Sequence, residues 1–161
     1  MHHFYTNVRA KKVACLDKFI KQAKALYESN LDIYCKYAIR KPLGKLLDFF
    51  EGVEGLLKTR PAEEVSYHLQ YSKNAVKEVI RKHPGKEVKK GLENLFKRVE
   101  RQYSEEEGLL QVVWRGIQEE FCRQFRRYEE LISKCYPETS IRLEFTLEEL
   151  LSYFSDIAHS H

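Results

Sequence analysis

The side chains here that could bind a metal or act as nucleophiles are six histidines and four cysteines, and their spacing favours neither role. His2, His3, His159 and His161 are terminal, and His68 and His83 stand outside any two-histidine or Cys–His ligand motif. Cys15, Cys35, Cys122 and Cys135 form no C-x-x-C pair, and a zinc site needs its ligands in closer pairs. Each cysteine falls within an apolar helical pattern, where a free thiol behaves as a small hydrophobe, so reduced and buried cysteines are expected. Gly85 and Gly91 bracket lysines without forming a phosphate-binding loop. Glu105, Glu106 and Glu107 are an acidic trio, but acid–base chemistry needs environments that separate two pKa values, and a helix start explains them better. No Ser–His or Cys–His pair stands out. The expectation is a protein that is not an enzyme, with no catalytic residue, no metal and no cofactor.

Two basic clusters remain as contact candidates. One is an arm of Arg9, Lys11, Lys12, Lys18, Lys21 and Lys24; the other is a turn with Arg81, Lys82, Lys86, Lys89 and Lys90. Residues 1–45 carry ten Lys and Arg against three Asp and Glu, whereas the remainder carries eighteen against twenty-one. A basic arm on a nearly neutral body could meet anionic phospholipid, nucleic acid or an acidic partner protein. RNA binding asks for aromatics interleaved with the basic residues, and the aromatics here follow the apolar stripes, so nucleic acid is not expected.

The elements that position these residues read as helices. The longest apolar pattern runs over 105–136 and carries Leu110, Val113, Ile117, Phe121, Phe125, Tyr128, Ile132 and Cys135 at gaps of three or four. Ser104 followed by Glu107 reads as a capping box that starts it. Its other face holds Arg115, Glu119, Arg123, Arg127 and Glu130 as solvent-facing pairs. A first long helix is expected over 7–39, with Val13, Leu16, Ile20, Ala23, Tyr27, Leu31, Tyr34 and Ala38 as its stripe; Pro42 ends or kinks it at Lys41. A second helix over 42–58 contains Gly52 and Gly55, read as points of close approach by a neighbouring helix. A third starts over 63–70 and bends at Ser72 into 74–82, a fourth covers 86–103, and Thr146 with Glu149 caps a short last helix. Between them, 141–145 alternates with period two and is expected to lie extended along the bundle. The fold class is all-α: an elongated helical bundle or rod of about six helices, taken as one domain over 1–161 with a basic helix at 1–41 and a bundle body at 42–161. No run approaches the roughly 20 apolar residues a membrane span needs, and no secretory signal is apparent.

Several stretches carry a resemblance: LLDFFEGVE from Leu46, EEVSY from Glu63, PGKEVKKGLENL from Pro84, EEEGLLQVVW from Glu105, CYP from Cys135 and EFTLEELLSYFSDIAHSH from Glu144. In these the chain resembles the C-terminal end of the exocyst complex component one family, over about three quarters of its length. The resemblance implies a helical bundle of the multisubunit tethering type and a non-catalytic role in tethering secretory vesicles to the plasma membrane during exocytosis. It implies other exocyst subunits as partners and a cytoplasmic location, peripheral at the plasma membrane. The family's phosphoinositide- and GTPase-binding region and its subunit-pairing coiled coil are N-terminal, and the matching stretches contain neither. A peripheral membrane module that binds anionic phospholipids through the basic helix is the alternative.

Overall fold

The computed structural model describes residues 2–106, 108–137 and 139–161, with side chains from residue 13 onward. Among these residues the chain is all-α, with seven α-helices and no strand: α1 (His2–Ala38), α2 (Arg40–Leu57), α3 (Ala62–Val65), α4 (Lys73–Arg81), α5 (Gly85–Tyr103), α6 (Leu109–Cys135) and α7 (Leu147–Ser160). A single 3-10 turn, Leu69–Tyr71, lies between α3 and α4. The backbone groups into two units, Met1–Tyr34 and Cys35–His161. The first consists of α1 short of its last turn.

The second unit has a true core, built by the three-and-four spacing of its helices. Leu43, Leu46, Leu47, Phe50 and Val53 of α2 are buried, as are Val88, Leu92, Leu95, Phe96 and Val99 of α5. α5 packs against α2, α6 and α7, and α6 also meets α2, α3 and α7. Aromatic rings lock these contacts. Phe50 of α2 stacks on Tyr128 of α6 at 4.5 Å between centroids. Trp114 of α6 meets Phe96 and Phe154 at 4.9 Å each, and its indole N–H donates to the Phe154 carbonyl at 3.4 Å. The edge-to-face Trp114–Phe96 pair gains about 0.5–1.5 kcal/mol beyond the area it buries.

Several boundaries differ from expectation, each for a local reason. Pro42 does not end a helix at Lys41. A single turn residue, Ile39, separates α1 from α2, and Pro42 is the third residue of α2. There its missing N–H is one of the four that lack an intrahelical acceptor in any helix. The central helix starts at Leu109, not Glu105. Ser104 closes α5 in helical geometry, and the chain reverses through Gly108 at φ 90°, a conformation glycine adopts without a Cβ clash. The Glu107 half of the expected capping box lies outside the described residues. The third helix shrinks to Ala62–Val65 because only Val65 among its residues is buried, so no apolar face holds a longer one.

Two end signals appear as expected. The Ser72 hydroxyl accepts from the Ala75 N–H at 3.2 Å and caps α4. The Thr146 hydroxyl accepts from the Glu149 N–H at 3.1 Å while the Glu149 carboxylate accepts from the Thr146 N–H at 2.9 Å, a complete capping box for α7. Gly52 is indeed a close-approach site, but to a side chain: a Cβ there would lie 2.2 Å from the Tyr71 hydroxyl. Gly55 has nothing within 4 Å of such a Cβ, so it has no such role. Over 141–145 the alternation is real in burial, with Ile141 and Phe145 buried and Arg142 and Glu144 exposed, although the segment joins no strand.

Candidate functional site

From Val13 to Tyr27 the expected stripe of α1 is not core, whereas Leu31 and Tyr34 are half-buried and Ala38 is buried. Val13, Leu16, Ile20 and Tyr27 are 53%, 60%, 61% and 48% exposed, and Phe19 and Leu26 beside them are 71% and 63% exposed. At 100° per residue these six occupy an arc of about 140° on one face. Lys18, Lys21 and Lys24 all fall outside that arc and are exposed, with Lys24 lying 3.9 Å from the Glu28 carboxylate. The Arg9, Lys11 and Lys12 side chains lie outside the described residues. Cys15, expected in a buried stripe, is exposed on the same helix, whereas Cys35 and Cys135 are buried and Cys122 partly so. Within α1 nothing supplies a cover for this face, because the pattern that made it look like core is the pattern of a helix made to be covered.

In the second unit the other basic cluster is partly neutralised. Arg81, the last residue of α4, pairs with Glu78 at 3.2 Å. Lys89 of α5 reaches Asp156 of α7 at 3.2 Å and lies over the Tyr153 ring at 5.6 Å. Lys82, Lys86 and Lys90 are exposed at the α4–α5 turn and the first turns of α5.

The polar residues of α6 divide differently from the expected solvent-facing row. Arg115 and Glu119 form an exposed pair at 3.6 Å, and Lys134 meets Glu130 at 3.7 Å. Arg127 instead crosses to Glu54 of α2. Glu120 is 1% exposed and accepts hydrogen bonds from Arg123 and, at 2.8 Å, from the Gln124 amide. A buried carboxylate of this kind is tolerated because both partners sit one turn along the same helix.

Nothing here assembles a reaction site among the described residues. The one Ser–His approach is on exposed α7, where His159 Nδ1–H donates to the Ser155 carbonyl at 2.7 Å. The Ser155 hydroxyl lies 3.5 Å from that same nitrogen, so the nitrogen it faces already carries a proton and cannot act as its base. His83 likewise donates Nδ1–H to the Val79 carbonyl at 2.8 Å. Burial raises the pKa of the Cys122 and Cys135 thiols, which keeps them protonated and weakly nucleophilic. Burial also drives the phenols of Tyr128 and Tyr136 well above the ordinary tyrosine value. No group of three His, Cys, Asp or Glu among the described residues could hold a metal, and no helix is long and apolar enough to cross a membrane.

The described residues form a packed bundle and an exposed apolar helix face, and comparison with known proteins shows the family. The family model described as exocyst complex component Sec3, C-terminal, matches residues 1–138. The chain is 46% identical over 161 residues to exocyst complex component 1 of Mus musculus and 47% identical to that of Drosophila melanogaster. Each alignment covers 99% of this chain and 18% of the relative, so the chain spans under a fifth of those proteins. Exocyst complex component 1 of Dictyostelium discoideum is 22% identical over 138 residues, 86% of this chain and 16% of the relative. No solved structure matches.

Proposed function

The chain belongs to the exocyst component Sec3 C-terminal family, and from that premise we propose that it acts as a non-catalytic part of the exocyst. Its role is to help tether secretory vesicles to the plasma membrane through protein–protein contacts of its helices. Its partners are other exocyst subunits, and its place is the cytoplasm, peripheral at the plasma membrane. The observation that carries this reading is the exposed apolar arc of α1 from Val13 to Tyr27. Six large apolar side chains in water along one helix are costly to leave uncovered, at roughly 1.5–3 kcal/mol for each that is fully buried on association. A packed partner helix gains that energy without any chemistry being performed. Capture of the tagged chain from its native lysate tests the proposal. Recovery of identified exocyst subunits supports it, and their absence speaks against it.

A second reading has its own observation. The same arc faces away from Lys18 and Lys21 and has Lys24 at its edge, the arrangement of a helix that lies in the surface of an anionic bilayer. Flotation with phosphatidylserine vesicles tests it: binding should fall steeply with salt, and binding that is absent or indifferent to salt removes it.

A further inference from the structure

In the second unit, a group of basic residues without ion pairs among the described residues lies outside both expected basic clusters. Between the start of α2 and the middle of α5 runs an open groove of 480 Å³ lined by Lys41, Pro42, Gly91, Asn94, Leu95, Lys97, Arg98 and Arg101. No carboxylate lines it. Among the described residues, no ion pair engages Lys41, Lys97, Arg98 or Arg101. Arg101 donates its Nε–H to the Lys97 carbonyl at 3.2 Å. The acids of α2 point elsewhere, since Asp48 and Glu51 are held by Arg40 at 3.3 and 2.7 Å. Lys97 also borders a second cleft containing Glu93 and Asp156, so the groove's own charge rests on Lys41, Arg98 and Arg101.

We propose that this groove is the docking site for an acidic helical segment of a protein partner, with carboxylates one turn apart that meet Arg98 and Arg101 while a third meets Lys41. Three features select this occupant. From Gly91 to Arg101 the α5 wall extends about 15 Å at 1.5 Å per residue, which is several turns of a helix and far longer than one phosphate. The cations are strung along that wall and across it, so they match a row of charges and not a point. The floor is apolar and low: a Cβ on Gly91 would come within 2.9 Å of the Pro42 Cβ, so the two helices nearly touch there, and Leu95 lies beneath. A helix backbone can settle over such a floor while its acidic side chains reach the rim, and Arg presents a fork suited to carboxylate. The site shares no residue with the α1 arc and stands whether or not that arc binds exocyst subunits.

The test is fluorescence anisotropy of the full chain with a labelled alanine-based helical peptide of about twenty residues bearing glutamates one turn apart. Saturable binding that weakens with salt is expected, with none by the same peptide carrying lysines. Arg98→Gln with Arg101→Gln should weaken it by about tenfold or more, and the exposed Lys41→Gln, which leaves the helix contacts intact, by about threefold. Lys82→Gln with Lys86→Gln at the other basic cluster should change it by less than about twofold. Equal loss in that control, or no change in the groove variants, overturns the proposal. So does binding of inositol hexakisphosphate or phosphatidylserine vesicles that depends on the groove arginines while the peptide does not bind, because the occupant is then a phosphate.

Discussion

Phe121→Ala in α6 and Leu16→Ala in α1 make the same kind of change on two stripes that look alike in sequence, and the structure gives them opposite outcomes. Phe121 is 1% exposed, with its ring 5.8 Å from that of Phe154, whereas Leu16 is 60% exposed. Truncating Phe121 removes about 110 Å² of buried apolar surface, worth about 3 kcal/mol at ~25 cal/mol per Å². The space left behind adds about 1–2 kcal/mol, for a total of about 4 kcal/mol. With a urea dependence of about 2 kcal/mol per molar, the unfolding midpoint should fall by about 2 M. Trp114, the only tryptophan, is buried between Phe96 and Phe154 and reports unfolding of the second unit by fluorescence. Leu16→Ala should leave both that transition and the far-ultraviolet circular dichroism midpoint within about 0.5 kcal/mol of the parent. A midpoint shift under about 0.3 M for Phe121→Ala, or an equal shift for Leu16→Ala, would refute the assignment of one stripe to core and the other to a contact surface.

Four further outcomes follow from particular contacts. Thr146→Ala removes half of the α7 capping box and should cost about 1 kcal/mol in urea unfolding. Gly108→Ala places a Cβ on a residue at φ 90° and should cost about 1–2 kcal/mol by the same measurement. Arg123→Met strips one donor from the buried Glu120 carboxylate and should cost about 2 kcal/mol, while Glu120→Met together with Arg123→Met should cost less than the single change. Tyr128 and Tyr136 have folded pKa values raised from 10.0 by burial, so the unfolded chain releases those protons first as pH rises. Stability should therefore be insensitive to these phenols below about pH 9 and should fall above about pH 10 by up to about 1.4 kcal/mol per pH unit for each, a slope that Tyr128→Phe reduces.

Much of the fold could be read from spacing. The α6 stripe from Val113 to Cys135 is buried as its periodicity required, and Ser72 and Thr146 cap as their types require. What spacing does not carry is whether a stripe has a cover. Leu16 and Ile20 have the same pattern as Ile117 and Phe121, yet the first pair is exposed and the second buried. Boundaries failed where a conformational detail decided them, as at Gly108, whose left-handed backbone ends one helix pair and begins the next. Glu120 was missed because a buried carboxylate on an otherwise apolar face is visible only through its partners Arg123 and Gln124. The α2–α5 groove was missed because Lys41 and Arg98 are far apart in sequence and meet only through helix packing.

We propose the α1 arc as a surface for exocyst partners. Its most direct test is side-by-side affinity capture, from native lysate, of the tagged chain and of a variant carrying Leu16→Glu and Ile20→Glu. Both changes fall on exposed positions, so circular dichroism and Trp114 fluorescence should match the parent. The account predicts that identified exocyst subunits come down with the parent and are lost from the variant. Equal recovery by both, or none by either, would contradict it.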